Sequence, residues 1–173
     1  MAELIFRTAG RPDVPAIVSM LLDDEVSAAR DPGHPVSEEI DAAYWAGFEA
    51  VDADPRNELV VVEQDGEPVG TMQLTFIPSL SRRGAERLQI EAVRVRADLR
   101  GNGIGRRMMV WAVDQARERG CGLVQLTTDK RRTEAHRFYS SLGFEASHEG
   151  MKLTLPRNGD SRPVHTGDSA ATA

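Results

Sequence analysis

The stretch Val93-Arg94-Val95-Arg96-Ala97-Asp98-Leu99-Arg100-Gly101-Asn102-Gly103-Ile104-Gly105 constrains the fold more than any other part of the chain. It reads as the end of a strand, a glycine-rich turn and the start of a helix. Glycines at alternate positions let a backbone pass close to a ligand and turn its amides outward. The helix that follows adds unpaired N–H groups and the positive end of its dipole. A turn of this kind is a seat for pyrophosphate. Charge agrees with that reading. Residues 94–107 carry Arg94, Arg96, Arg100, Arg106 and Arg107 against Asp98 alone, in a chain of formal net charge −6. Local base in an acidic chain suits one bound anion and speaks against nucleic acid as a partner.

Composition sets the frame. A chain of 173 residues, 40% hydrophobic and 28% charged, suits one globular domain. That domain is expected over 1–155. Beyond Pro156 the residues turn to Gly, Ser, Asp, Thr and Ala, with Val164 the only large aliphatic, so 156–173 is expected as a flexible tail. No run approaches the roughly 18 apolar residues of a membrane span, and the first residues show no basic-then-apolar leader. A cytoplasmic protein without a membrane partner is the expectation. Cys121, the single cysteine, excludes an internal disulfide and a cysteine-based metal site. It reads as a packing residue, and no metal is expected: Glu134 and His136 lack a diagnostic ligand spacing.

Hydrophobic periodicity supplies the elements. Leu4-Ile5-Phe6-Arg7 predicts an opening strand. A helix follows near Pro12 with Val14, Ile17, Val18, Leu21 and Leu22 on one face, and Asp31 to Pro35 breaks it. Ser37 has the character of an N-cap for a second helix through Tyr44, Trp45 and Phe48, whose aromatics read as core. Leu59 to Val62 is a buried-strand run, and Asp65-Gly66 signals a hairpin. In the next strand Met72, Leu74 and Phe76 alternate with Thr71, Gln73 and Thr75. Ser81 to Gly84 is polar loop. Ile104, Met108, Trp111 or Ala112, and Ala116 then follow a helical period that stops at Gly120. Leu123 to Leu126 is a short strand, and Ala135, Phe138, Tyr139 and Leu142 line a last helix ending at Gly143. From Phe144 onward Met151, Leu153 and Leu155 alternate, predicting closing strands.

One irregularity carries weight. Between Arg87 and Val95 the apolar residues Leu88, Ile90 and Ala92 fall on even positions, whereas Val93 and Val95 fall on odd ones. Such a phase slip implies a β-bulge near Ala92–Val93, or a strand covered on both faces. A bulge leaves main-chain amides free within a sheet.

Strand, bulge, Arg-x-x-Gly-x-Gly, helix, strand, and a helix carrying Ala-x-x-Phe-Tyr before Gly-Phe together resemble the GNAT superfamily of acyl-CoA-dependent N-acetyltransferases. The two principal motifs cover Leu88 to Phe144. The resemblance implies an α/β (α+β) fold: a mixed, mainly antiparallel sheet with helices on both faces and a bulged fourth strand. It implies acetyl-CoA as co-substrate, its pyrophosphate against Arg100, Gly101, Asn102, Gly103, Ile104, Gly105 and Arg106. The pantetheine arm would pair with the backbone of Val93 and Val95, one of whose amides would stabilise the oxyanion. Arg94, flanking the bulge, is counted with the cofactor residues. Arg132 stands where the family often has Asn, and is expected at a cofactor phosphate. The region Leu126 to Tyr139 with Gly143 to His148 is similar to that of bacterial aminoalkylphosphonate acetyltransferases. That likeness implies a small primary amine as acceptor.

The chemistry then asks for two proton-handling groups. An amine of pKa about 10.4 is protonated at pH 7 in all but roughly one part in 2,500, so reaching the neutral nucleophile costs about 4.6 kcal/mol without help. Tyr139 matches the family's tyrosine and is the candidate acid for the departing thiolate, and its ring also completes the apolar helix face. Glu91, two residues before the phase slip, is the candidate base, acting through water; as a plain strand carboxylate it would be solvated or paired. His136 reads as a solvated helix residue, and His148 has no fixed orientation. Asp41, Glu49 or the aromatics of the second helix would border the acceptor.

Two further readings stay open: a protein lysine or N-terminus as acceptor, and a non-catalytic acyl-CoA-binding module, since the glycine turn reports pyrophosphate binding alone. Exposed apolar surface on closing strands would favour a homodimer.

Overall fold

The computed structural model describes residues 3–23 and 40–155. Five strands make one sheet in the order of the chain: β1 (Ile5–Thr8), β2 (Asn57–Gln64), β3 (Glu67–Ile77), β4 (Arg87–Val95) and β5 (Leu123–Leu126). The first four pair antiparallel and β5 joins β4 in parallel. The parallel step needs a crossover, and α3 (Ile104–Glu118) supplies it. On the opposite face lie α1 (Val14–Leu22) and α2 (Ala42–Asp52), and α4 (Thr133–Ser140) follows β5. The expected mixed sheet with helices on both faces is observed.

Side-chain alternation divides the two faces. Val60, Val62, Met72, Leu74, Leu88 and Ile90 point to the α3 side and are almost wholly buried against Ile104, Met108, Met109, Ala112 and Ala116. Trp111 stacks on Phe6 at 5.0 Å between ring centroids. The other face has a smaller core, Ala9, Ile17 and Val61 with Leu21 and Leu59. A two-residue turn at Asp65-Gly66, both left-handed, joins β2 and β3 as the sequence predicts.

Gly70 shows how tightly α3 seats. A Cβ there would fall 2.9 Å from Met108 Sδ and 3.2 Å from the Arg94 carbonyl oxygen. The thioether can swing away; the carbonyl cannot. Gly70→Ala is expected to destabilise by about 1–2 kcal/mol, read as a lowered Tm or urea midpoint.

Three sequence expectations are corrected. No strand forms after β5 among the described residues; the segment bearing Met151, Leu153 and Leu155 is irregular, and these side chains are 97%, 82% and 71% exposed. Alternation alone does not make a strand without an edge to pair with. The second helix starts at Ala42, capped by Asp41, whose carboxylate accepts from the Ala43 amide at 2.8 Å; Ser37 and the breaker Asp31 to Pro35 lie outside the described residues, as do 156–173. Tyr44, Trp45 and Phe48 are half-buried, and α2 has no buried residue. Trp45 lies under the Arg11 guanidinium at 4.4 Å from its ring centroid, because α2 rides over the margin of the sheet.

Candidate active site

The phase slip in β4 is a β-bulge. Thr71 faces Arg94 and Gln73 faces Glu91, so Met72 alone spans the two residues Ala92 and Val93. Ala92 takes a left-handed φ of +52°, a conformation that costs a non-glycine residue on the order of 1 kcal/mol or more. The extra residue puts Glu91 and Arg94 on the same face of the sheet.

At the same level the sheet opens. The β4–β5 ladder runs from Arg87↔Leu123 to Ile90↔Leu126 and stops. Beyond it, the β4 margin from Glu91 to Val95 has no strand beside it among the described residues. A bulge and a missing neighbour together leave main-chain groups facing a cleft. Two carbonyls there are engaged: Val93 accepts from Arg94 Nη1 at 2.9 Å and Val95 from Arg100 Nε at 3.1 Å. Each keeps a second lone pair.

A turn of 3-10 helix, Ala97–Leu99, leads from β4 into the glycine loop. Gly101 and Gly103 have φ of +84° and +80°, values that only glycine adopts without strain. Among the described residues the amides of Gly101, Asn102 and Gly103 donate to no main-chain carbonyl. Those of Ile104, Gly105 and Arg106 open α3, where helical geometry gives an amide no partner. Six successive amides without a main-chain partner thus lie at the positive end of a 15-residue helix. This cradle fits a pyrophosphate.

The arginines divide their work. Arg100 holds Asp23, its Nη2 3.0 Å from both the carbonyl and a carboxylate oxygen of that residue. It fastens the loop to the end of α1, an anchoring role for Asp23 that the sequence did not suggest. Arg106 reaches the Ser141 hydroxyl at 3.1 Å and ties α3 to the end of α4. Arg96 makes an exposed pair with Asp98. Ile104 is 5% exposed and serves the core, so it offers a ligand its amide.

Tyr139 stands on α4 across the opening. The helix ends in a Schellman turn: the Phe144 amide donates to the Tyr139 carbonyl and the Gly143 amide to Ser140, with Gly143 at φ +89°. That turn folds Phe144 back against the Tyr139 ring at 6.0 Å, while Phe138 meets it edge-on at 5.2 Å. The phenol makes no hydrogen bond among the described residues. Burial holds its pKa above the ordinary tyrosine value, partly offset by the positive charges of Arg94 and Arg132. Tyr139 is therefore a neutral O–H donor across the physiological range. Arg94 and Arg132 bring β4 and the start of α4 to the same spot.

Glu91 is exposed on the α1 face of the sheet and makes no hydrogen bond or ion pair among the described residues. Neither candidate proton-handling group, Glu91 or Tyr139, has a competing hydrogen-bond partner among the described residues. The other candidates serve local structure: His136 Nε2 lies 3.1 Å from the Asp129 carbonyl oxygen, His148 pairs with Ser147, and Glu49 holds Arg11 at 2.8 Å. Burial raises the Cys121 thiol pKa, as befits a packing residue. Among the described residues no helix is long and apolar enough to cross a membrane.

A bulged strand, an interrupted ladder and a glycine loop at a helix start are the features that the resemblance to the acyl-CoA-dependent N-acetyltransferases implies. The comparisons agree: the model of the Acetyltransferase (GNAT) family matches residues 18–144, and the chain belongs to that family. It is 33% identical over 106 residues to aminoalkylphosphonate N-acetyltransferase of Salmonella typhimurium, spanning 61% of this chain and 68% of that one. The crystal structure of a protein from Bacillus halodurans described as a transcriptional regulator superposes with TM-score 0.83 at 41% identity, over 88% of this chain and all of that one. A protein from Clostridium acetobutylicum described as a predicted acetyltransferase and crystallised with acetyl-CoA shares the fold, with TM-score 0.66 at 22% identity over 88% and 97% of the chains.

Proposed function

We propose that this protein transfers the acetyl group of acetyl-CoA to a primary amine of a small molecule. The observation that carries the reading is the coincidence, at one point of the sheet, of the Ala92–Val93 bulge and the end of the β4–β5 ladder. An extended ligand arm can replace the missing strand there, and the loop at Gly101–Arg106 follows β4 where such an arm's pyrophosphate would end. Acetyl-CoA, when bound, supplies an activated acetyl thioester whose thiol is the leaving group.

The chain's own groups do the rest. The amides of Gly101 to Arg106 hold the diphosphate, and Arg132 stands near a second phosphate. The Val93 amide at the bulge is the donor aimed at developing negative charge. Glu91 takes the proton of the acceptor's ammonium through water. Tyr139 holds a proton at Oη for the departing sulfur. The activity named for the Salmonella relative supports a small-molecule acceptor over a protein one.

The test is thiol release from acetyl-CoA over a panel of amines, with the acetylated product identified by mass. The acyl-CoA-binding module remains the second reading, favoured by the regulator described from Bacillus halodurans. Cofactor binding by calorimetry without amine-dependent release would select it. For Glu91→Gln, kcat/KM is expected to fall by about tenfold or more. An unchanged kcat/KM would remove Glu91 from proton transfer.

A further inference from the structure

The face of the sheet that carries Glu91 is built unlike its reverse. On the reverse, Leu74, Phe76, Leu88 and Ile90 fill the main core. On the Glu91 face, α2 lies over β2 and α1 crosses toward β3 and β4, with an apolar contact through Ile17, Val61 and Leu59. Toward β5 the face is polar. Thr75 Oγ1 donates to Asn57 Oδ1 at 2.6 Å, Gln73 Nε2 to the same oxygen at 3.1 Å, and Gln125 Nε2 to Gln89 Oε1 at 2.7 Å. Register places Gln89 between Thr75 and Gln125, and Arg87 one step further between Ile77 and Leu123. Arg87, Gln89 and Glu91 thus share one face and form a line that ends beside the bulge.

Arg87 is the anomaly in this line. Its Nε is buried and donates to nothing, and no carboxylate pairs with it among the described residues. Several other arginines are treated differently: Arg7, Arg96, Arg100, Arg119, Arg131 and Arg137 each hold a carboxylate. The chain has acids to spare, 27 against 21 bases. A buried donor left without an acceptor costs about 1–3 kcal/mol, and such groups are rare enough to demand a reason. A guanidinium in a half-buried polar face is the natural partner of a planar or tetrahedral oxyanion.

We propose that Arg87 binds an anionic group on the acceptor, so that the amines this enzyme takes carry a carboxylate or a phosphorus oxyanion a few bonds from the nucleophilic nitrogen. The inference rests on the transferase reading above. Arg87 and Glu91 are four strand residues apart, about 13 Å between Cα atoms at about 3.3 Å per residue. Two long side chains extend over much of that interval, and a short amphoteric molecule fills the remainder: its ammonium at Glu91 beside the bulge, its anion at Arg87. The amides of Gln89 and Gln125 lie between, and that of Gln73 opposite Glu91, with donors and acceptors for the connecting atoms. The polar face thereby becomes the acceptor floor, and Arg87 its specificity-determining residue.

The experiment is calorimetric titration of the full chain, saturated with CoA, with aminoethylphosphonate, β-alanine and propylamine. The anionic amines are expected to bind at least about tenfold tighter than propylamine, the worth of one charged hydrogen-bonded contact. The tighter of the two identifies the oxyanion. In Arg87→Met the preference collapses while CoA affinity holds, and Arg87→Lys recovers part of it as a lone charge. Should Arg87→Met fail to fold, Arg87→Gln is read in the same way. Equal binding of propylamine by the wild type, or a preference that survives in Arg87→Met, overturns the proposal. Thiol release measured on the same panel separates the two readings: discrimination in binding without turnover would sink the transferase reading and leave the anion site standing.

Discussion

Gly103→Val is expected to cut the affinity for acetyl-CoA by about tenfold or more, with the chain still folded. Gly103 sits at φ +80° and ψ 0° as the residue before α3, and an added Cβ would meet nothing within 4 Å. The penalty is therefore conformational and not a clash. A side-chain-bearing residue held in that region costs about 1–3 kcal/mol, and a β-branched one lies at the upper end. The loop relieves the strain by turning, and the amides at its centre then point elsewhere. Since 1.4 kcal/mol is a factor of ten in affinity, calorimetry of the variant with free CoA reads the change directly. Thermal unfolding without ligand should move little, because the residue is exposed. An affinity equal to the wild type would mean that the loop's main chain does not hold the diphosphate.

Tyr139→Phe should lower kcat by about a hundredfold, the lower range for a positioned general acid. KM for acetyl-CoA should stay within about twofold, since the change deletes one oxygen and leaves the ring between Phe138 and Phe144. The sign of the pH dependence is fixed by burial. The folded pKa is raised above the usual tyrosine value, so the phenol keeps its proton below that value and its contribution is lost as pH rises through the folded pKa. No titration of Tyr139 should appear between pH 6 and 9 in the rate profile. A rate that did not change would assign the ring to packing alone.

Much of this was legible in the chain, and for identifiable reasons. The bulge announced itself because a two-residue period tolerates no slip: Ile90 and Val93 cannot both face α3 unless a residue is added between them. The loop was legible because alternate glycines before a helical period have few other uses. Sequence missed what depends on pairing between distant segments. The ladder's end at Ile90 and Leu126 is set by how β5 leaves the sheet, and nothing local in either strand marks it. The same limit misplaced closing strands at Met151, Leu153 and Leu155, where alternation was present and a partner edge was not. Arg100 is expected at the diphosphate from its position before the glycines; that its guanidinium also holds Asp23, 77 residues away, has no local signal. Arg87 needed only parity to join Gln89 and Glu91; its missing acid could be recognised only once every neighbour was in place.

The early stop of the parallel ladder has a thermodynamic consequence. Four residue pairs zip β5 to β4, and past them water must solvate what a neighbouring chain would otherwise satisfy. The free protein carries a wet seam into its own middle, the line along which hydrogen exchange should be fastest. A ligand arm laid in that seam closes it as one more strand would. By mass action, acetyl-CoA at a hundred times its dissociation constant should add about 2.7 kcal/mol to the resistance against unfolding, and the protection should spread from Val93 across to Leu126.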